Sequence, residues 1–337
     1  MNQLDYPIIT IIIPVFNRVV LVSEAVNSVI AQTNPNWELI LVDDGSTDNT
    51  WQVIQQYENQ DKRIRAIKRK HEPKGASKCR NLAVELSTSK YLFFLDSDDL
   101  ISNSFVETRF KYLLKYPELD FIVFPEASFT GNITENFYYK RRLFDKEPDI
   151  IRFLKSDNPW MISGPVIKKT SFLKMGGFNE LLESGQDWDL FVRLLLNDLT
   201  YTKIDCFDNV DVFIRSSPDI TSITNTNTFE KWFISKSLTL DGITPLLHEQ
   251  NILDKKSSLR KPFIQYFLKL CIEMSKRNKH ASAKSLWRKF YSANFINYFE
   301  SSIWQLYIGK IGARVPLIKR VIRFLMFRIF PESNFLS

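Results

Sequence analysis

The sequence predicts an α/β protein, a mostly parallel, doubly wound sheet followed by a helical C-terminal region. Three observations carry this. Short β-branched apolar runs alternate with segments of helical periodicity over the first hundred residues or so. Polar and acidic residues sit directly after those runs, at the carboxyl ends of strands, where sheets of this kind bind ligands. From about residue 229 onward the pattern becomes helical, aromatic and basic.

The elements follow in order. Ile8–Ile13 is a continuous apolar run that suits a parallel strand buried on both faces. Val19–Ala31 reads as a helix, with Leu21, Ala25 and Val29 near helical spacing. Leu39–Val42 is a second strand that ends in Asp43-Asp44-Gly45-Ser46, and Asp48 is placed to cap the helix Thr50–Gln60. Ile64–Ile67 is a third strand, Ser77–Leu86 a third helix, and Tyr91–Leu95 a fourth strand that runs into Asp96–Asp99. Phe121–Phe124 reads as a further strand and 126–160 is mixed and polar. Gly176-Gly177-Phe178 then leads through a polar loop to an amphipathic helix opened by Asp187. Pro218 and the Thr/Asn/Ser-rich stretch Thr221–Thr228 mark a boundary, giving a catalytic-type domain over 1–220 and a basic helical region over 221–337.

Composition narrows the function classes. The chain is 44% hydrophobic and 25% charged, enough apolar material for a sizeable core. Cys79, Cys206 and Cys271 are far apart, which argues against a zinc site or a disulfide framework and fits a reducing compartment. The N-terminal apolar run lacks a positive flank and is broken by Pro14, so it reads as a strand rather than a signal peptide. No run of 18 apolar residues is present. The net charge of +7 hides an asymmetry: residues 255–328 hold 17 Lys/Arg against two acids, whereas residues 1–254 hold 28 against 35. Such a tail points to an anionic partner, and with no nucleic-acid module beside it a membrane surface is favoured.

The acidic tip Asp96-Ser97-Asp98 is the main chemical signal. Carboxylates at i and i+2 on an extended segment point the same way and can converge on one ligand. A hard cation such as Mn²⁺ or Mg²⁺ uses one or two carboxylates and fills its other positions with phosphate oxygens and water. The plainer reading is that these acids are turn and cap residues. Asp43, with Asp44 beside it, can accept a hydrogen bond from a base or sugar, or belong to a solvated turn. Lys74-Gly75-Ala76-Ser77 resembles an anion-binding loop that feeds a helix N-terminus, with Arg80 and Asn81 one turn on.

Taken together these segments are recognisable. IIIPVFNR at 11–18, VDDGSTD at 42–48, GASKCRN at 75–81, FLDSDD at 94–99 and GGFNE…GQDWDL at 176–190 resemble glycosyltransferase family 2, in that order, over roughly residues 7–215. The resemblance implies the Rossmann-like GT-A fold, with a nucleotide-sugar half over about 1–100 and an acceptor half over about 101–220. It implies inverting transfer from a nucleoside-diphosphate sugar, usually a UDP-sugar, to a hydroxyl of a glycan or lipid-linked saccharide. Pro14, Phe16 and Arg18 would line the nucleoside site and Asp43 would bind the base. Arg80 would lie near the base or diphosphate. Asp96 would contact ribose or metal, and Asp98 would ligate the metal. Asp187 falls where the family places its catalytic base, while Asp189 reads as structural. Gln186 stands where Glu is usual, and Arg215 stands where relatives carry a diphosphate-binding His or Arg. The competing class is a non-catalytic nucleotide-sugar-binding or scaffold protein that keeps the fold. The absence of GxGxxG after the first strand disfavours an oxidoreductase or methyltransferase.

Val315–Phe330 reads as an amphipathic basic helix suited either to an anionic membrane interface, implying a cytoplasmic protein peripheral on the inner face of the membrane, or to packing on the catalytic domain with its basic edge solvated. The three histidines and the basic run Lys62–Lys70 read as surface features, and Asn132-Ile133-Thr134 matches a glycosylation sequon by pattern only.

Overall fold

A computed structural model describes residues 7–70, 73–131, 137–138, 143–206, 209–216, 229–252, 254, 257–277 and 279–292. The sequon, His71, the Thr221–Thr228 stretch and the 315–330 segment lie outside these residues. The chain divides into two compact units, one of residues 1–146 with 159–231 and one of residues 147–158 with 232–337.

The first unit opens with the expected alternation. It runs β1 (Ile9–Val15), α1 (Val19–Ile30), β2 (Trp37–Asp43), α2 (Thr50–Gln60), β3 (Ile64–Lys68), α3 (Ala76–Leu86) and β4 (Tyr91–Phe94). β1 pairs in parallel with β2 and with β4, and β2 pairs in parallel with β3. β1 and β2 are buried along almost their whole length, as suits largely apolar strands covered by helices on both faces; the polar pair within them, Thr10 and Glu38, is joined by a hydrogen bond of 2.6 Å. Ile9, Ile11, Ile13, Leu39, Leu41 and Phe93 join Val22, Ala25, Val26 and Val29 of α1 in the main core.

The rest of the unit is less regular: β5 (Leu100–Ile101), α4 (Phe105–Lys115), β6 (Phe121–Val123), β7 (Ala127–Phe129), β8 (Phe137–Tyr138), β9 (Pro165–Lys168), α6 (Lys169–Lys174), α7 (Gln186–Leu196), β10 (Tyr201–Lys203) and β11 (Val212–Arg215). The main sheet has the order β10-β6-β9-β4-β1-β2-β3, with β9 antiparallel to both its neighbours. A second sheet of order β5-β11-β7-β8 is built from very short strands. Strand order reverses between β1, which α1 follows, and β4, which α3 precedes. Crevices at such points bind ligands in open α/β sheets.

The second unit contains α5 (Asp149–Leu154), α8 (Phe229–Glu249, whose first residues belong to the first unit), α9 (Arg260–Lys276) and α10 (His280–Ser292). Ile243 and Leu247 of α8, Phe263, Ile264, Phe267 and Met274 of α9, and Ala283, Leu286 and Trp287 of α10 are buried. Cys271, fully buried there, has its thiol pushed up by burial alone. His248 on α8 is exposed, as expected of a surface histidine. Among the described residues no helix is long and apolar enough to cross a membrane.

Candidate active site

At the ends of β1 and β2 the polar residues are already engaged with one another. Asn17 has a positive φ of 51° and donates its backbone N–H to Ser46 Oγ at 2.9 Å, while its side-chain oxygen accepts the Thr47 N–H at 2.8 Å. Arg18 donates its backbone N–H to Thr50 Oγ1 at 2.9 Å. Asp43 is fully buried and its carboxylate accepts the Ser46 N–H, at 3.1 Å for the nearer oxygen. Gly45 turns the chain with φ 77°, a conformation that favours a residue without Cβ. Asp48 accepts the Thr50 N–H at 3.0 Å, although the residue at the N-cap position of α2 is Asn49.

Asp44 is a departure from expectation. One carboxylate oxygen takes the Gly75 N–H at 2.6 Å, and the other is bonded to the Arg69 guanidinium, with Nε at 2.7 Å. Asp44 thus clasps the loop ahead of α3 to the end of β2. Arg69 lies within the run expected to be a solvated basic face, yet its side chain is 9% exposed. Lys74 donates to Gly45 O at 3.1 Å and lies 4.2 Å over the Phe16 ring, which is itself 43% exposed. Pro14 is half-buried on β1, and Gly75 is the N-cap residue of α3.

The β4 end is different. Asp96 is half-buried and accepts one bond from Arg80 at 2.6 Å. Arg80 is buried, lies 5.2 Å over the Phe178 ring, and leaves its Nε without a hydrogen-bond partner. Ser97 is buried. Burial, then the neighbouring Asp96, raise the Asp98 carboxyl above the usual carboxylate range; Arg18 and Arg215 only partly offset this. Asp99 is pushed up further by burial and by Asp96 and Asp98, although it accepts the Arg215 N–H at 2.9 Å. Arg215 also donates through Nε to Asp98 O at 2.9 Å, pairs with Glu24 of α1, and lies 4.6 Å over Phe129. Its guanidinium braces the acidic turn from behind. Of the segment expected to bind diphosphate, residues 217–223 lie outside the described ones.

Asp187 stands half-buried in the first turn of α7, behind an N-cap Gly185 with left-handed φ of 71°. Gln186 donates to Leu182 O at 3.1 Å. Asp189 is fully buried and ion-paired with Arg193 at 2.7 Å, the structural part expected of it.

The fold therefore gathers Pro14, Phe16, Arg18, Asp43, Lys74, Gly75, Arg80, Asp96, Ser97 and Asp98 around the carboxyl ends of β1, β2 and β4. Arg69, Asn17, Glu24, Asn81 and Arg193 are the supporting side chains that sequence reasoning overlooked or misread. Among the described residues no three or more His, Cys, Asp or Glu side chains form a metal cage by themselves. The hard oxygens of Asp96 and Asp98 nonetheless suit a cation that completes its shell with phosphate and water.

Residues 10–168, a little under half of the chain, match the model for glycosyl transferase family 2. TuaG of Bacillus subtilis, a glycosyltransferase named for teichuronic acid biosynthesis, is 38% identical over 109 residues, 32% of this chain and 43% of that protein. Glycosyltransferase GlyG of Streptococcus pneumoniae is 32% identical over 104 residues, 31% of this chain and 34% of that protein. The chain thus matches less than half the length of either relative. Among solved structures, S. aureus TarS 1–349 in complex with UDP-GlcNAc superposes with a TM-score of 0.60 at 16% identity, over 89% of this chain and 91% of that one. The mannosyltransferase PcManGT from Pyrobaculum calidifontis, with GDP-Man and Mn²⁺, gives 0.51 at 15% identity, over 97% and 88%. These likenesses are of fold, and they agree with a GT-A architecture.

Proposed function

We propose that this protein is an inverting glycosyltransferase that moves a sugar from a nucleoside-diphosphate donor to a hydroxyl of a glycan or lipid-linked acceptor. The observation that carries the proposal is the β4 end: two carboxylates, Asp96 and Asp98, at the strand-order switch, with one buried arginine on the first of them.

In this reading Phe16, Pro14 and Arg18 flank the nucleoside and Asp43 accepts from the base. UDP is the donor nucleotide to test first, following the resemblance of the VDDGSTD segment. Lys74, the Gly75 N-terminus of α3 and Arg80 face the diphosphate. Asp44 has no free oxygen for a donor and acts by holding the Lys74-Gly75 loop. Asp98, with Asp96, would hold Mn²⁺ or Mg²⁺, which when bound neutralises charge on the departing diphosphate. Asp187 accepts the proton of the acceptor hydroxyl as its oxygen attacks the anomeric carbon. The bond from that carbon to the diphosphate oxygen breaks on the opposite face, and the electron pair leaves with the nucleotide. A polysaccharide acceptor is supported by the name of the Bacillus relative. An inner-membrane site of action is supported by the basic amphipathic pattern of 315–330.

The test is a thermal-shift screen of UDP- and GDP-sugars with Mn²⁺ and with EDTA, followed by UDP release from the best donor. Stabilisation should need the metal and turnover should need Asp98 and Asp187. Stabilisation that ignores EDTA, or turnover surviving Asp98→Ala and Asp187→Asn, overturns the reading.

A further inference from the structure

Arg80 and Asn81 are consecutive on α3, yet they face different parts of the site. Arg80 reaches Asp96, while Asn81 reaches the loop that leads to α7. Its Nδ2 donates to Phe178 O and to Glu180 Oε1, each at 2.9 Å, and its Oδ1 accepts the Phe178 N–H at 3.0 Å. That pattern needs one group that both donates and accepts, which an amide supplies and a carboxylate does not.

The same loop is held from α7. Arg193 donates to Met175 O at 2.6 Å and to Gly177 O at 2.8 Å, with Asp189 fixing the guanidinium. Gly177, between the two clamps, has φ 67° and no room for a side chain. A Cβ there would lie 2.8 Å from Asn81 Oδ1 and 3.2 Å from the Phe172 ring. The Phe178 ring sits beneath Arg80 and edge-on to Phe94, the last residue of β4, at 5.1 Å between centroids. One loop therefore touches the donor arginine, the strand that carries the acidic tip, and the helix that carries Asp187.

We infer that Asn81 is a positioning residue: it sets the register between the Arg80–Asp96 pair on the donor side and the catalytic-base helix α7, through the clamped Met175–Phe178 loop. The inference rests on the assignment of Arg80 and Asp187 proposed above. Donor binding on the Arg80 side should therefore tighten the loop and α7, and loss of the Asn81 bonds should uncouple them while the nucleotide still binds.

The test uses the full chain with UDP and Mn²⁺. Hydrogen exchange of residues 176–190 is followed with and without UDP in the wild type, Asn81→Ala, Asn81→Asp and Gly177→Ala, beside UDP affinity by calorimetry. UDP should slow exchange in 176–190 of the wild type. In the Asn81 variants the slowing should be confined to α3, with UDP affinity within about threefold of wild type. Donor turnover should fall about 10- to 100-fold in kcat with little change in donor KM, as expected for a misplaced base. Gly177→Ala, which disturbs the clamp from the other side, should reproduce the uncoupling. The inference is overturned if the wild-type loop ignores UDP, if the Asn81 variants keep the slowing in 176–190, or if kcat drops only in proportion to UDP affinity. Failure of the underlying reading looks different. It shows as no UDP binding in the wild type, or as turnover that survives Asp187→Asn.

Discussion

The two acidic strand ends of the sheet solve the same problem in opposite ways. At the end of β2, Asp43 and Asp44 are buried but supplied with donors from Ser46, Gly75 and Arg69. At the end of β4, Asp96, Asp98 and Asp99 crowd together; Arg80 bonds Asp96 and the Arg215 N–H bonds Asp99. The first arrangement is complete in itself and holds shape. The second carries an excess of negative charge, which a bound cation would balance. A carboxylate cluster of this kind costs stability in the free protein, and such costs concentrate where a site must bind something.

Substitutions can break this contrast. The largest effect is expected at the β4 end: Asp98→Asn should lower UDP release by about 10³-fold with the melting temperature of the free protein unchanged or higher. Loss of several degrees in melting temperature with activity retained would reverse the assignment. Asp187→Asn should lower the same rate by about 10²- to 10⁴-fold, with UDP binding intact by calorimetry. At the β2 end the balance should invert. Asp44→Ala removes the carboxylate that holds both the Arg69 guanidinium and the Gly75 N–H, at a cost of about 3–5 kcal/mol in urea unfolding. Retention of full stability would show that the clasp contributes nothing.

The smallest effect is a control remote from both ends. Burial acts to raise the Asp120 carboxyl, but bonds from Ser171 and from the Thr200 N–H and hydroxyl outweigh it, so the group lies below the usual range. A carboxyl lowered in the folded state adds stability above the unfolded pKa, and that contribution is lost as pH falls through the folded value. Asp120→Asn should therefore cost about 1 kcal/mol at neutral pH. The gap to wild type should close in urea melts taken at increasingly acid pH. A gap that widens on acidification would contradict the sign.

Much of the nucleotide-side half could be read from local pattern, because β1, β2 and β4 are mostly apolar and polar residues follow each of them. The second half was opaque for a physical reason. Strands β5, β7, β8 and β11 are two to four residues long, too short to show a period, and are held by partners far away in sequence. β9, which inserts antiparallel between β4 and β6, follows a stretch that looks merely polar. Within the site, residue types at motif positions were visible but their partners were not. Arg69 looked like one more member of a basic run until the fold set it against Asp44. Asp44 looked like a ligand group until both its oxygens proved engaged. Asn81 looked like a companion of Arg80 at the anion-binding loop until three hydrogen bonds proved to tie its amide to Phe178 and Glu180.

The insertion of β9 also bears on how the chain reaches this state. β4 has β1 on one side and β9 on the other, both distant in sequence. Pairings of such separation slow folding, since loop closure must precede the contacts that reward it. During synthesis the Tyr91-Leu92-Phe93-Phe94 edge stays bare until the chain has grown past residue 168, and an apolar strand edge in that condition invites association with other chains. Products ending between β4 and β9 should aggregate where longer ones stay dispersed, and the strand that leads into the acidic tip should be among the last parts of the sheet to gain protection from solvent.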